Sequence, residues 1–389
     1  MGSIRKITRE INGKTYTYYE ARYTAGFDHG TGKQIQRSIT GKTQKEVSQK
    51  LKVALAALDS GTYIAPCKMT VAERLDVWAD QYLGGVKEST VAAYNATIRT
   101  HIKPGLGAIR LDALDTHLVQ SFYNGLREPT KDRAAVSPKT VKNVHGILHK
   151  ALQQAVANGY IRFNPTNSCI LPRIEKKELQ PLDEAETKLF LDAVKGHPLE
   201  LLYTITLFTG LREGEALGLT WDRMDFMRGT ILISKQLQKE KKAGGQFRLV
   251  SLKNDKPRRI QPAPWVMQLL RDRKLQQYEH KEKAGAAWSN PLNLVFTNEL
   301  GGNLIPQTVV RHFKEIVTAI GRPDARFHDL RHSYAVASLR SGDDIKTVQG
   351  NLGHATAAFT LDVYGHVTNQ MQEASAIRME AYIKGILEL

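Results

Sequence analysis

FHDLRHSYAV, residues 327–336, sets a histidine and an arginine three positions apart, His328 and Arg331, in a stretch with helical character. Residues three apart share one face of a helix, so imidazole and guanidinium converge on the same side. The guanidinium is a planar fork of donors suited to two phosphate oxygens, and the imidazole can donate a hydrogen bond or move a proton. His332 comes directly after and points elsewhere, which suits a structural role, while Asp329 suits a cap or support at the helix start.

Two further stretches extend this pair. TGLREGEALGLTWDRMD, residues 209–225, puts Arg212 just behind Thr209 and Gly210 at the start of a helix. Leu217, Leu219 and Trp221 can bury its apolar side, and Glu215 can fix the guanidinium or hold the neighbouring turn. NLGHATAAFTLDVYGHV, residues 351–367, carries His354 behind a glycine turn and Tyr364 after a short helix. In LVSLKNDKPRRIQPAP, residues 249–264, Lys253 falls in the turn expected to join two strands, where a hairpin lysine can protonate a leaving 5′ oxygen. Lys256 fits the same task, and the residues alone do not rank the two.

Taken singly, each of these side chains has an ordinary reading: Arg212 as an ion pair, His354 as a packed donor, Tyr364 as a core aromatic. Together they suit attack by a tyrosine hydroxyl on a phosphodiester. The pentacoordinate phosphorus transition state concentrates negative charge on its nonbridging oxygens, and preorganised donors stabilise that charge more than the starting diester. Loss of one such donor costs about 3–4 kcal/mol. A free tyrosine has a pKa of about 10, so it needs a cationic pocket or a base to attack at neutral pH. The sequence offers no carboxylate cluster of the kind that two-metal nucleases use, and no Walker motif. Both point to metal-free transesterification that conserves bond energy in a protein–phosphate ester, with no cofactor.

Composition agrees with a polyanionic partner. The 389 residues carry a formal charge of +16, and the pI is near 9.6. That length suggests two or three domains. Cys67 and Cys169 stand far apart, with no CxxC, which argues against disulfide scaffolds and thiolate zinc sites and leads to the expectation of a reducing cytoplasm. No stretch approaches a transmembrane span, so no membrane partner is expected.

The chain divides by pattern into an N-terminal unit over 1–65, a helical unit over 67–168, a linker over 169–181 and a last unit over 182–389. In the first, KTYTYYEARYTAGF and QIQRSIT read as strands around a DHGTGK turn, and TQKEVSQKLKVALAAL as a helix with Thr43 and Glu46 in a capping box. Eleven Lys and Arg against five Asp and Glu give this unit a surplus of six positive charges, which can follow DNA phosphates or simply solvate a surface. In the second, Val71, Leu75, Trp78 and Tyr82 mark one helix. SPKTVKNVHGILHKALQQAVANG marks another, capped by Ser137, with the stripe Val141, Val144, Ile147, Leu148, Ala151, Leu152 and Ala155. Lys139, Lys142 and Lys150 lie off that stripe, facing phosphate or water. PRIEKKELQP is the best linker. Beyond it, helices are interrupted by strands at GTILISKQ, FRLVSLK and RRIQPAP, and NQMQEASAIRMEAYIKGILEL reads as a tail helix.

TGLREGEALGLTW, HDLRHSYAV and LGHATAAFTLDVYGH resemble the first arginine box, the His-x-x-Arg box and the histidine–tyrosine box of the tyrosine recombinase, or phage integrase, family. Asn254 follows the lysine where many relatives have threonine, and Ser333 replaces a frequent threonine. The resemblance implies catalytic Arg212, Lys253, His328, Arg331, His354 and Tyr364, with Glu215 in support, and it selects Lys253 over Lys256. It implies a multidomain α+β fold: a small three-stranded sheet plus helix that binds arm-type DNA, a helical core-binding domain, and a mixed, mainly helical catalytic domain. The leading unit is most like those of integrases from temperate phages and conjugative transposons. The implied function is integration and excision of a mobile element through a 3′-phosphotyrosyl intermediate and a Holliday junction, in the cytoplasm of a bacterial host. Double-stranded DNA with core and arm-type attachment sites, a homotetramer on that DNA, and accessory DNA-bending and excision-directionality proteins follow from the same resemblance. So does docking of the tail helix on a neighbour, for which packing in cis is the alternative. A type IB topoisomerase and a catalytically silent DNA-binding protein are the competing readings.

Overall fold

The computed structural model describes residues 3–11, 14–27, 30–60, 63, 67–131, 133–175, 180–240, 245–252, 256–353 and 368–387. The chain forms two compact units, residues 1–176 and 177–389.

The first unit opens with an antiparallel sheet ordered β1-β2-β3, from Ile4–Ile11, Lys14–Phe27 and Gln34–Gly41. The first strand is paired along its whole length with β2, although its own sequence has no apolar run to announce it. Helix α1 (Gln44–Asp59) covers one face, where Ala21, Val47 and Leu51 form a small core. Thr43 Oγ1 accepts from the Glu46 amide at 3.2 Å, as expected of a cap. The capping box does not close: the Glu46 carboxylate takes the Lys42 amide and the Lys50 ammonium instead, at 2.9 and 2.7 Å.

A separate helical core follows. Helix α2 (Val71–Gln81) has a complete capping box between Thr70 and Glu73. Helix α3 (Glu88–Thr97) continues through a π-helical turn, Ile98–Ile102, into the short α4 (Lys103–Leu106). Helices α5 (Thr116–Arg127) and α6 (Pro138–Ala157) complete the unit. All seven residues of the stripe read from α6 are buried, because three- and four-residue spacing turns them to one face. Tyr82 departs from expectation: it lies just past α2, is 40% exposed, and packs against the Arg74 guanidinium. Lys150 is committed to Tyr94, whose hydroxyl accepts from it at 3.2 Å.

The second unit begins with α7 (Glu184–Val194), capped by Asp183 and Glu186, and α8 (Glu200–Thr209), followed by the five-residue α9 (Glu213–Leu217). Strands β4 (Met224–Asp225), β5 (Thr230–Ile233) and β8 (Arg258–Ile260) make one antiparallel sheet, and β6 (Lys235–Lys239) with β7 (Phe247–Ser251) another. Two expectations are corrected here. GTILISKQ is not one strand, since the chain changes partners at Ser234 between β5 and β6. The segment after β7 does not turn a hairpin into β8, because β7 pairs with β6 and β8 with β5. Helices α10 (Pro264–Ala284) and α11 (Pro306–Ala319) enclose the core, and α12 (Asp329–Arg340) packs on α8. Helix α13 (Ile345–Leu352) lies against α12 and β8, and α14 (Thr368–Leu387) is the expected tail helix. Leu217 and Leu219 are buried as read, with Trp221 half-buried.

Candidate active site

Helix α8 stops at Gly210, whose φ of 63° is left-handed. A Cβ there would lie 2.4 Å from Tyr334 Cδ1 and 2.7 Å from Leu352 Cδ2, so glycine is required twice over, by conformation and by space. The turn it makes delivers Arg212 to the residue before α9. Glu215, 1% exposed, accepts from the Arg212 amide at 3.0 Å and from Arg212 Nη1 at 2.7 Å. The Arg212 side chain keeps a third of its surface open.

Arg331 approaches the same turn from α12. It is 1% exposed, and it donates from Nη1 to Gly210 O at 2.7 Å and from Nη2 to Leu352 O at 2.6 Å. Arg212 Nη2 points at Gly353 O, 3.4 Å away. A third arginine completes the series: Arg258 Nε donates to Asn351 O at 2.7 Å. Three consecutive carbonyls at the end of α13 are thus received by three guanidinium groups. The last carbonyls of a helix lack intrahelical partners and form the negative end of its dipole, so cations belong there.

His328 precedes α12 and is exposed at its outer edge. Partial burial of its ring, then the charges of Arg331 and Arg212, hold its pKa below the usual imidazole value. At neutral pH it is a neutral donor and acceptor beside two cations. His332 does not point away as the sequence suggested: its buried ring meets His328 edge-on, with centroids 4.9 Å apart. Burial, then the neighbouring His328, push the His332 pKa down to about 4. Asp329 pairs with Arg326, and Ser333 Oγ accepts the Leu182 amide at 2.8 Å, tying the start of the unit to α12.

The structure therefore brings together Arg212, Glu215, His328 and Arg331. Lys253, His354 and Tyr364 lie outside the described residues. The sequence reading missed Arg258. Its signal was a charged residue two before the buried Ile260, hence on the inward side of a strand. Among the described residues, no group of three or more His, Cys, Asp or Glu is placed to hold a metal ion.

The N-terminal sheet presents a second polar surface. Tyr19, Ala21 and Tyr23 face α1, so alternation turns Tyr16, Tyr18, Glu20 and Arg22 to the other side. Cross-strand register adds Arg9 opposite Tyr16 and Arg5 opposite Glu20.

Residues 175–371 match the model of the phage integrase family, and residues 70–127 match that of the phage integrase N-terminal SAM-like domain. A tyrosine recombinase XerC-like protein of Caldanaerobacter subterraneus subsp. tengcongensis is 28% identical over 373 residues, spanning 92% of this chain and 93% of its own. An integrase of Streptomyces ambofaciens is 27% identical over 371 residues, spanning 92% of each. The fold resembles that of the Tn1549 transposon integrase in complex with circular intermediate DNA, with a TM-score of 0.67 at 21% identity, over 80% of this chain and 99% of that one. A lambda integrase dimer bound to a core site gives a TM-score of 0.56 at 19% identity, over 76% of this chain and 95% of that one.

Proposed function

The chain belongs to the phage integrase family of tyrosine recombinases, and on that premise we propose that it cuts and rejoins DNA at specific sites through a 3′-phosphotyrosyl intermediate. The observation that carries the reading is the convergence of Arg212 and Arg331 on one turn, with His328 within reach of both charges. Such a site suits a nonbridging phosphate oxygen that gains negative charge as the transition state forms.

In the proposed reaction the Tyr364 hydroxyl attacks phosphorus and the 5′ oxygen departs. Arg212 and Arg331 stabilise the equatorial charge, His354 donates a hydrogen bond to it, His328 takes the proton that the tyrosine hydroxyl gives up, and Lys253 supplies the proton that the leaving oxygen needs. The 5′-hydroxyl of a second duplex then attacks the phosphotyrosyl ester and restores the diester. Each step exchanges one ester for another, so no ATP is required, and in the proposed site the arginines supply the charge stabilisation that a metal ion would otherwise give.

The substrate we propose is double-stranded DNA at the ends of a mobile element, integrated and excised by a tetramer in the cytoplasm of a bacterial host. The relatives' complexes with core-site and transposon DNA support this, as does the chain's +16 charge. The open face of the N-terminal sheet, with Arg5, Arg9 and Arg22 among tyrosines, suits arm-type sites.

The test is to mix the full chain in EDTA with a library of DNA flanking its own gene and to sequence detergent-resistant adducts, beside Tyr364→Phe. Adducts at paired inverted sequences, lost in the variant, are expected. Adducts that persist in Tyr364→Phe would overturn the nucleophile assignment, and scattered adducts would turn the reading toward a topoisomerase.

A further inference from the structure

Glu215 is shared between two arginines. Its Oε1 accepts from Arg212 Nη1 at 2.7 Å and from Arg258 Nη1 at 3.0 Å. Its Oε2 accepts from Arg258 Nη2 at 2.6 Å and from the Arg212 amide at 3.0 Å. Arg258 thus holds both carboxylate oxygens with one edge of its guanidinium, while Nε reaches across to Asn351 O at 2.7 Å. Its side chain is 9% exposed. Gly353 packs directly on it: a Cβ there would fall 3.0 Å from Arg258 Cδ and 3.1 Å from Nη1.

This geometry has an electrostatic consequence. A buried carboxylate beside a single arginine forms a neutral pair, and an arginine so paired is a weak partner for a third, anionic group. Here Arg258 engages the carboxylate through the stronger, two-pronged contact. One positive charge is then left over in the trio, and it resides on Arg212, the member with a third of its side chain open. The mechanical consequence is separate. Helix α13 ends at Gly353, and the next residue in the chain is His354. A guanidinium locked to Glu215 and to Asn351 O fixes the exit of that helix relative to the Arg212 turn.

We propose that Arg258 is a positioning residue of this site: it neutralises Glu215, so that Arg212 keeps its charge for the scissile phosphate, and it pins the end of α13 from which the chain enters the His354–Tyr364 segment. The proposal rests on the function put forward above. Arg258 itself need not touch DNA.

The test uses Arg258→Met, Glu215→Gln and the double variant in the full chain, with two readouts. The first is the rate of phosphotyrosyl adduct formation at saturating core-site DNA. Arg258→Met is expected to slow it about a hundredfold, the scale of losing one donor to the oxyanion, with DNA affinity little changed. Adding Glu215→Gln removes the carboxylate that would capture Arg212, and it should recover roughly tenfold, a coupling of ordinary size for contacting residues. Arg258→Lys, which keeps the charge but not the fork, should fall between wild type and Arg258→Met. The second readout, amide exchange over residues 345–353 in the DNA-free protein, is independent of activity. Faster exchange there in Arg258→Met, with α11 unchanged, is expected. Wild-type rates in Arg258→Met, or no recovery in the double variant, overturn the electrostatic role; unchanged exchange overturns the pin. If the wild-type chain itself forms no adduct, the proposed function fails, and the exchange measurement still decides whether Arg258 holds α13.

Discussion

Replacing Glu215 with glutamine isolates the charge at the centre of the site while keeping its shape. The carboxylate is 1% exposed. Burial by itself would raise its pKa, but the hydrogen bond and charge of Arg258, with the amide and charge of Arg212, outweigh that and hold it at about 2, against an ordinary 4.5. An acid whose folded pKa lies below its unfolded value stabilises the fold above the unfolded pKa, and loses that contribution as the pH falls through the folded one. The drop from 4.5 to about 2 corresponds to about 3 kcal/mol in favour of the folded state at pH 7. Glutamine cannot supply it, and its amide hydrogens would confront two guanidinium groups. For a unit the size of residues 177–389, that is a fall in melting temperature of roughly 6–12 °C. Calorimetry of the full chain, with urea titrations from pH 8 to pH 3.5, measures it. The gap between wild type and Glu215→Gln should stay constant from pH 8 to 5 and narrow below 4.5. A loss under about 1 kcal/mol at pH 7 would refute the reasoning, since that is the range of an exposed ion pair. A gap that closes between pH 8 and 6 would point to an imidazole instead.

Two further outcomes follow from the same packing. Gly210→Ala must place a Cβ at a φ of 63° and within 2.4 Å of the Tyr334 ring; it should cost about 2–4 kcal/mol in urea denaturation, and a loss below 1 kcal/mol would show that the turn yields. His332, a base whose pKa is lowered to about 4, takes up its proton more readily unfolded, so stability is unaffected above 6.5 and declines as the pH falls from there toward 4. By pH 4.5 the loss from this residue is on the order of 2–3 kcal/mol, and urea midpoints for His332→Gln should lack that part of the acid slope; parallel slopes would contradict it.

Much of this molecule is legible along the chain because the signals are local. The stripe of α6 is a periodicity within one helix, and β2 is a run of strand-forming residues whose limits, Lys14–Phe27, match the sequence reading. Arg212, His328 and Arg331 could be singled out because their neighbours in sequence are distinctive, and the structure brings these three together. The partner change at Ser234 was not legible, since β5 and β6 are equally good strands and only pairing separates them.

What the sequence by itself determined is where most helices and several strands run and which face of each is apolar, and it is the source of the proposal for which residues carry the chemistry. The tertiary structure alone decided what holds them in place. Arg331 meets Gly210 across 121 positions, and Arg212 meets Gly353 across 141. No periodicity spans such distances. That three guanidinium groups should share the carbonyls of one helix end, and that Arg258 should share Glu215 with Arg212, depends on how α8, α9, α12, α13 and β8 pack, because buried charges and orphan carbonyls must find partners wherever the fold brings them together.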